Sequence, residues 1–189
     1  MSRFTATGPS RGPSRPRHAA AVILLRNPLD PEIFWVRRQP HLAFLGGFHS
    51  FPGGRMGKED DPALLGMTGE ATEAEQLDAS LRLCALRELH EETGVSLRDP
   101  IASGVAFLDA VRNGAHRVPV EALVPAGRWV TPPFSPARFD TTFYLAWIPE
   151  RVEPVVHDSE LTDGEWIRPD AALDRWSAGK ALLAPPALY

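Results

Sequence analysis

Apolar residues come in short runs separated by proline and glycine clusters, so the elements can be told apart along the chain. Ala19 to Arg26 (AAAVILLR) and Glu32 to Arg38 (EIFWVRR) read as two adjacent core strands. Asn27 to Pro31 between them has the proline and Asx content of a turn. His41 to Ser50 reads as a loop that runs into Phe51-Pro52-Gly53-Gly54, where paired glycines let the backbone come close to another group. From Thr72 the period changes. Thr72 and Glu75 have capping-box spacing, Leu77, Leu81, Cys84, Ala85 and Leu89 recur at helical intervals, and Gly94 can end the helix. Arg55 to Ala71, polar, acidic and glycine-containing, reads as an exposed insertion or mobile lid. Further on, the pattern predicts a strand near Gly104 to Ala110 and a short helix near Val120 to Leu123. It then predicts strands over Arg128 to Thr131, Phe139 to Ile148 and Glu165 to Ile167. A final helix over Asp170 to Ala178 follows Pro169 at its start.

Composition narrows the class. The chain has 189 residues, 43% hydrophobic and 23% charged, enough for one domain with its own core. Met1 to Arg17, rich in Gly, Pro, Ser and Arg, reads as a flexible tail ahead of a domain over residues 18–189. Lysine and arginine number 20 against 24 acids, a net charge of −4, which argues against a broad nucleic-acid surface. The single cysteine, Cys84, excludes an intramolecular disulfide or a CxxC pair, and a reducing, cytoplasmic setting is the expectation. No apolar stretch is long enough to span a bilayer, so no membrane role is expected. A homodimer is compatible with these numbers.

The candidate chemistry lies in Leu86-Arg87-Glu88-Leu89-His90-Glu91-Glu92-Thr93-Gly94-Val95. On a helix, Glu88 projects beside both Glu91 and Glu92, three carboxylates whose mutual repulsion calls for a counter-charge. A divalent cation supplies one. Oxygen-only ligands favour hard ions, and Mg²⁺ in particular takes a few carboxylates together with waters and substrate phosphates. A merely solvated acidic face is the plainer alternative, but such a face more often mixes in lysine at i+4. Other chemistries find no support: Gly57-Lys58 lacks the surrounding P-loop pattern, His90 has no partner histidine at i+4, and GxSxG is absent.

Gly54 with Arg87-Glu88-Leu89, Glu91-Glu92 and Gly94-Val95 resembles the Nudix box, a glycine followed by R-E-U-x-E-E-x-G-U with U aliphatic. The second half matches at every position. Asp60 stands where the box carries an acid, six after the glycine, but Arg87 follows Gly54 by thirty-three positions, nineteen more than usual. An insertion of about residues 55–71 within the box resembles the branch related to coenzyme A diphosphatases. Val36-Arg37-Arg38, Phe44 to Phe48, Trp129-Val130-Thr131-Pro132, Arg138 to Tyr144 and Glu165-Trp166 also fit that branch.

The resemblance implies a Nudix-type α/β/α sandwich, of the α/β class with a mixed β-sheet. It also implies Mg²⁺- or Mn²⁺-dependent hydrolysis of a diphosphate linkage in a small nucleoside diphosphate derivative, with coenzyme A or acyl-CoA first. ADP-ribose, an NDP-sugar or a dinucleotide is the alternative, and a non-catalytic nucleotide-binding module a second. Glu88 and Glu92 are the expected principal metal ligands, and Glu91 a further ligand or the group that orients or deprotonates the water. Arg87 joins the catalytic set as the ion-pair partner of a box acid, with Asp60 the candidate. A solvated pair is the plainer reading. Gly53 and Gly54 are expected to pack close to the catalytic helix and border the substrate. Arg38 and Arg138 are candidate phosphate contacts; against these stand a solvated strand end for Arg38 and an Arg138–Asp140 ion pair. Trp129, Phe139 and Phe143 could stack an adenine, with core packing the plainer reading for each.

Overall fold

The computed structural model describes residues 14–67, 69–157 and 159–188; of the expected tail, residues 1–13 lie outside them. Strand β1 (Arg17–Arg26) begins one residue earlier than the domain boundary drawn from sequence, with the Arg17 N–H donating to the Arg138 carbonyl. It is central to a seven-stranded mixed sheet. On one side β1 runs parallel to β6 (Phe139–Trp147), which pairs antiparallel with the edge strand β5 (Val124–Val130). On the other side β1 is shared: residues 24–26 pair with β2 (Glu32–Arg38), and residues 19–21 with β4 (Gly53–Arg55). The sheet therefore forks at β1. Strands β3 (His49–Ser50) and β7 (Leu161–Ile167) flank β2.

Alternation along β2 decides what covers each face, because successive side chains point to opposite sides. Phe34 and Val36 enter the main core under α1 (Glu73–Thr93), with Val22, Leu24, Leu83, Leu89 and Tyr144. Trp35 points the other way, into a smaller cluster with Ile167 and with Ala172 of α3 (Pro169–Ser177). These two helix-covered faces make the α/β/α sandwich. Helix α1 has its predicted ends: the Thr72–Glu75 capping box is reciprocal, and Gly94 is left-handed at φ 69°. No helix among the described residues is long and apolar enough to cross a membrane.

Two expectations need correction. The predicted strand near 104–110 is instead a turn followed by helix α2 (Phe107–Arg112). Its Phe107, Leu108 and Ala110 are buried, and so short an apolar run does not separate strand from buried helix. The inserted segment is no free lid. Met56, Leu64 and Leu65 pack against the main core, a 3-10 turn spans Pro62–Leu65, and Asp60 is 2% exposed. The polar majority of that segment conceals the few residues that anchor it. The helix near 120–123 is a 3-10 turn over Val120–Ala122.

Candidate active site

The glycine pair of β4 fits against the carboxylates of α1. Gly53 donates its N–H to Glu92 Oε2 at 2.9 Å, and Glu92 is 5% exposed. At Gly54 an added Cβ would lie 2.4 Å from Glu88 Cδ, so only glycine leaves the Glu88 carboxylate its place. At Gly53 a Cβ would meet β1 backbone, 2.4 Å from the Ala20 carbonyl oxygen.

Arg87 organises the acids around it. It is buried, and its guanidinium forks onto Asp60 at 2.8 and 2.9 Å, while Nη1 donates to Glu88 at 3.0 Å and to Glu91 at 2.9 Å. Burial opposes the charge of Arg87, but the Asp60 hydrogen bonds and the Glu88 and Asp60 charges outweigh it and hold the pKa above its ordinary value. Asp60 in turn accepts the Gly57 N–H at 2.8 Å. The Arg87–Asp60 pair is thus a buried bidentate one, not a solvated pair. Burial pushes the Glu88 carboxyl above its usual range; Arg87 opposes this, while the Glu91 and Asp60 charges reinforce it. Cys84 is buried behind them, its thiol pKa raised by desolvation.

A cleft of about 590 Å³ opens beside these groups, and Gly53, Gly54, Glu88, Glu92 and Arg38 all line it. Glu88 and Glu91 meet at Arg87 Nη1, and Glu88 and Glu92 face the cleft. Glu91 is absent from the cleft wall, its side chain 48% exposed and held by Arg87. Among the described residues no group of three His, Cys, Asp or Glu is placed to hold a metal by itself. Two carboxylates facing one cleft still fit a hard cation, because Mg²⁺ commonly takes one or two protein carboxylates and completes its shell with water and substrate phosphate.

Arg38 is not the solvated strand end of the plainer reading: it pairs with Glu160 at 3.2 Å on the cleft wall. Arg138 lies off that wall and forms no pair with Asp140. It donates to the carbonyls of Thr131 at 3.0 Å and Ser14 at 2.6 Å, anchoring the β5–β6 connection. Asp140 binds Arg128 of β5, both contacts 2.5 Å, and its pKa is lowered chiefly by that hydrogen bond. The cross-strand neighbour thus displaces the expected i, i+2 pair. Trp129, Phe139 and Phe143 are half-buried and line the cleft instead of filling the core. Sequence reading missed Arg17, Arg55 and the Ala184 to Ala187 segment, which also line it; these are long-range juxtapositions with no local signal.

The NUDIX domain model matches residues 16–185. The chain belongs to the Nudix family. A putative nudix hydrolase 7 of Caenorhabditis elegans is 26% identical across 90% of this chain, which spans only 58% of that protein's length. The human acyl-coenzyme A diphosphatase NUDT19 is 25% identical, covering 94% of this chain and 68% of its own. A solved NUDIX hydrolase from Alicyclobacillus acidocaldarius matches with TM-score 0.75 and 28% identity, over 92% of this chain and 88% of that one. The Nudix domain of Shewanella oneidensis NrtR, solved with ADP ribose, shares the fold at TM-score 0.51 and 14% identity.

Proposed function

We propose that this Nudix chain hydrolyses the diphosphate linkage of a nucleoside diphosphate derivative, with coenzyme A or an acyl-CoA as the leading substrate. The observation that carries this is the pair Glu88 and Glu92, held against Gly54 and Gly53 on the wall of the cleft. Glu88 and Glu92 would hold Mg²⁺ or Mn²⁺, which when bound offsets the negative charge on the diphosphate oxygens. The Gly53 N–H fixes one carboxylate and Arg87 the other, so both are oriented before substrate arrives. Glu91 acts through Arg87 in this reading, keeping the guanidinium in place beside Glu88. The likeness to the human acyl-coenzyme A diphosphatase supports the substrate choice.

The test is a panel of coenzyme A, acyl-CoA, ADP-ribose, NDP-sugars and dinucleotides, with Mg²⁺ and with Mn²⁺, products identified by mass. Cleavage of coenzyme A or its thioester into two phosphorylated fragments is expected. Turnover of ADP-ribose with both CoA forms inert would overturn the substrate assignment. Inertness of the whole panel would overturn hydrolysis.

A further inference from the structure

Beyond Glu88 and Glu92 the cleft changes character. On β6, Phe139, Thr141 and Phe143 share one face, and their partners on β1 are Arg17, Ala19 and Ala21. Alanine beside phenylalanine leaves a trough along the sheet, and Trp129, paired with Thr141, borders it on the β5 side. Phe44 closes onto Phe139 with ring centroids 5.2 Å apart. Phe134, in the connection between β5 and β6, lines the same cleft while 88% exposed. An aromatic ring left in water at the rim of an apolar trough gains by being covered.

The two hydroxyls near Phe134 each make one contact within the chain. The Thr131 hydroxyl accepts the Phe139 N–H at 3.0 Å, and the Ser135 hydroxyl donates to the Ala137 carbonyl at 2.7 Å. The rings of Phe44, Phe134 and Phe139 and the methyls of Ala19 and Ala21 offer the edge of a nucleobase no hydrogen-bond partner. A hydrocarbon chain requires none. We infer that the trough walled by Phe44, Trp129, Phe134 and Phe139 is a subsite for a hydrocarbon group carried by the substrate, with Phe134 the residue that sets preference for it. This rests on the proposed diphosphate hydrolysis for its place in catalysis, but the subsite itself is a matter of binding.

Two measurements separate the subsite from the chemistry. In the first, KM and kcat are compared for coenzyme A and decanoyl-CoA with Mg²⁺, in the parent and in Phe134→Ala. Because Phe134 is exposed, its truncation leaves the core intact. The expected result is a KM for decanoyl-CoA raised roughly five- to tenfold, with KM for coenzyme A and both kcat values changed less than about twofold. Equal effects on both substrates, or none, would overturn the inference. In the second, calorimetric titration with decanoyl-pantetheine, which has no diphosphate, reads the subsite whether or not the chain is active. Binding that weakens in Phe134→Ala supports the inference, and absence of binding in the parent overturns it. Binding without turnover of any CoA diphosphate sinks the coenzyme A substrate assignment and leaves the subsite standing.

Discussion

Replacing Asp60 by alanine tests how the loop after β4 and helix α1 are joined. The substitution removes both acceptors of the Arg87 fork and the acceptor of the Gly57 N–H. Arg87 keeps Glu88 and Glu91, so its charge is not left wholly alone. Breaking a buried pair by removing one partner costs about 3–5 kcal/mol, and the remaining partners put this case near 3. For a domain of this size each kcal/mol lowers the melting temperature by roughly 2–4 °C, which gives a fall of about 6–12 °C. Thermal unfolding followed by circular dichroism reads this directly. Asp60→Asn, which retains the shape and one acceptor, should fall between the parent and the alanine variant. A melting temperature for Asp60→Ala within about 2 °C of the parent would refute the reasoning, since no buried bidentate pair is lost so cheaply.

Glu92→Gln should fold as the parent does and lose at least about 100-fold in turnover of whichever diphosphate the panel identifies; Glu91→Gln, off the cleft wall, should lose markedly less. Gly54→Ala should push the Glu88 carboxylate aside, costing about 100-fold in kcat/KM for a small change in melting temperature. Gly53→Ala instead meets β1 backbone and should lower stability by about 1–3 kcal/mol, read from urea midpoints. Burial holds the His116 imidazole below the ordinary histidine pKa, so the unfolded chain binds its proton more readily than the fold. The parent should lose stability as pH falls through about 6.5, and His116→Phe, packed against Phe107, should lose less between about pH 7.5 and pH 5, compared by urea unfolding.

What the sequence disclosed was local. Thr72, Glu75 and Gly94 define α1 to the residue, because caps are read by neighbours within one turn. Spacing along that helix also places Glu88 near Glu91, but it cannot foresee that one Arg87 nitrogen bonds both carboxylates. That outcome depends on where the Arg87 fork comes to rest, and Asp60 reaches it from the loop that follows β4. Arg138 shows the same limit: two residues from Asp140 on paper, it binds two carbonyls while Arg128 arrives from the adjacent strand. Where the pattern predicts a strand near Gly104 to Ala110, helix α2 stands instead, because its six residues carry too little period to separate a buried turn of helix from a strand.

The interrupted box follows from the same distinction between local and long-range order. Lengthening the connection between Gly54 and Arg87 from fourteen to thirty-three positions raises its closure cost by only about 0.8 kcal/mol, because that cost grows with the logarithm of length. Burying Met56, Leu64 and Leu65 against the main core can offset so small a sum. What the site cannot give up is the meeting of three things: a glycine edge on β4, two carboxylates on α1, and an acid that reaches Arg87 from the segment between them. Asp60 keeps its distance from Gly54, on the near side of the added residues, and so reaches the guanidinium whatever length follows it. The nineteen extra positions therefore lie between Asp60 and Arg87, shared by the segment before the Thr72 cap and the first turns of α1, where neither glycine edge nor carboxylate is displaced.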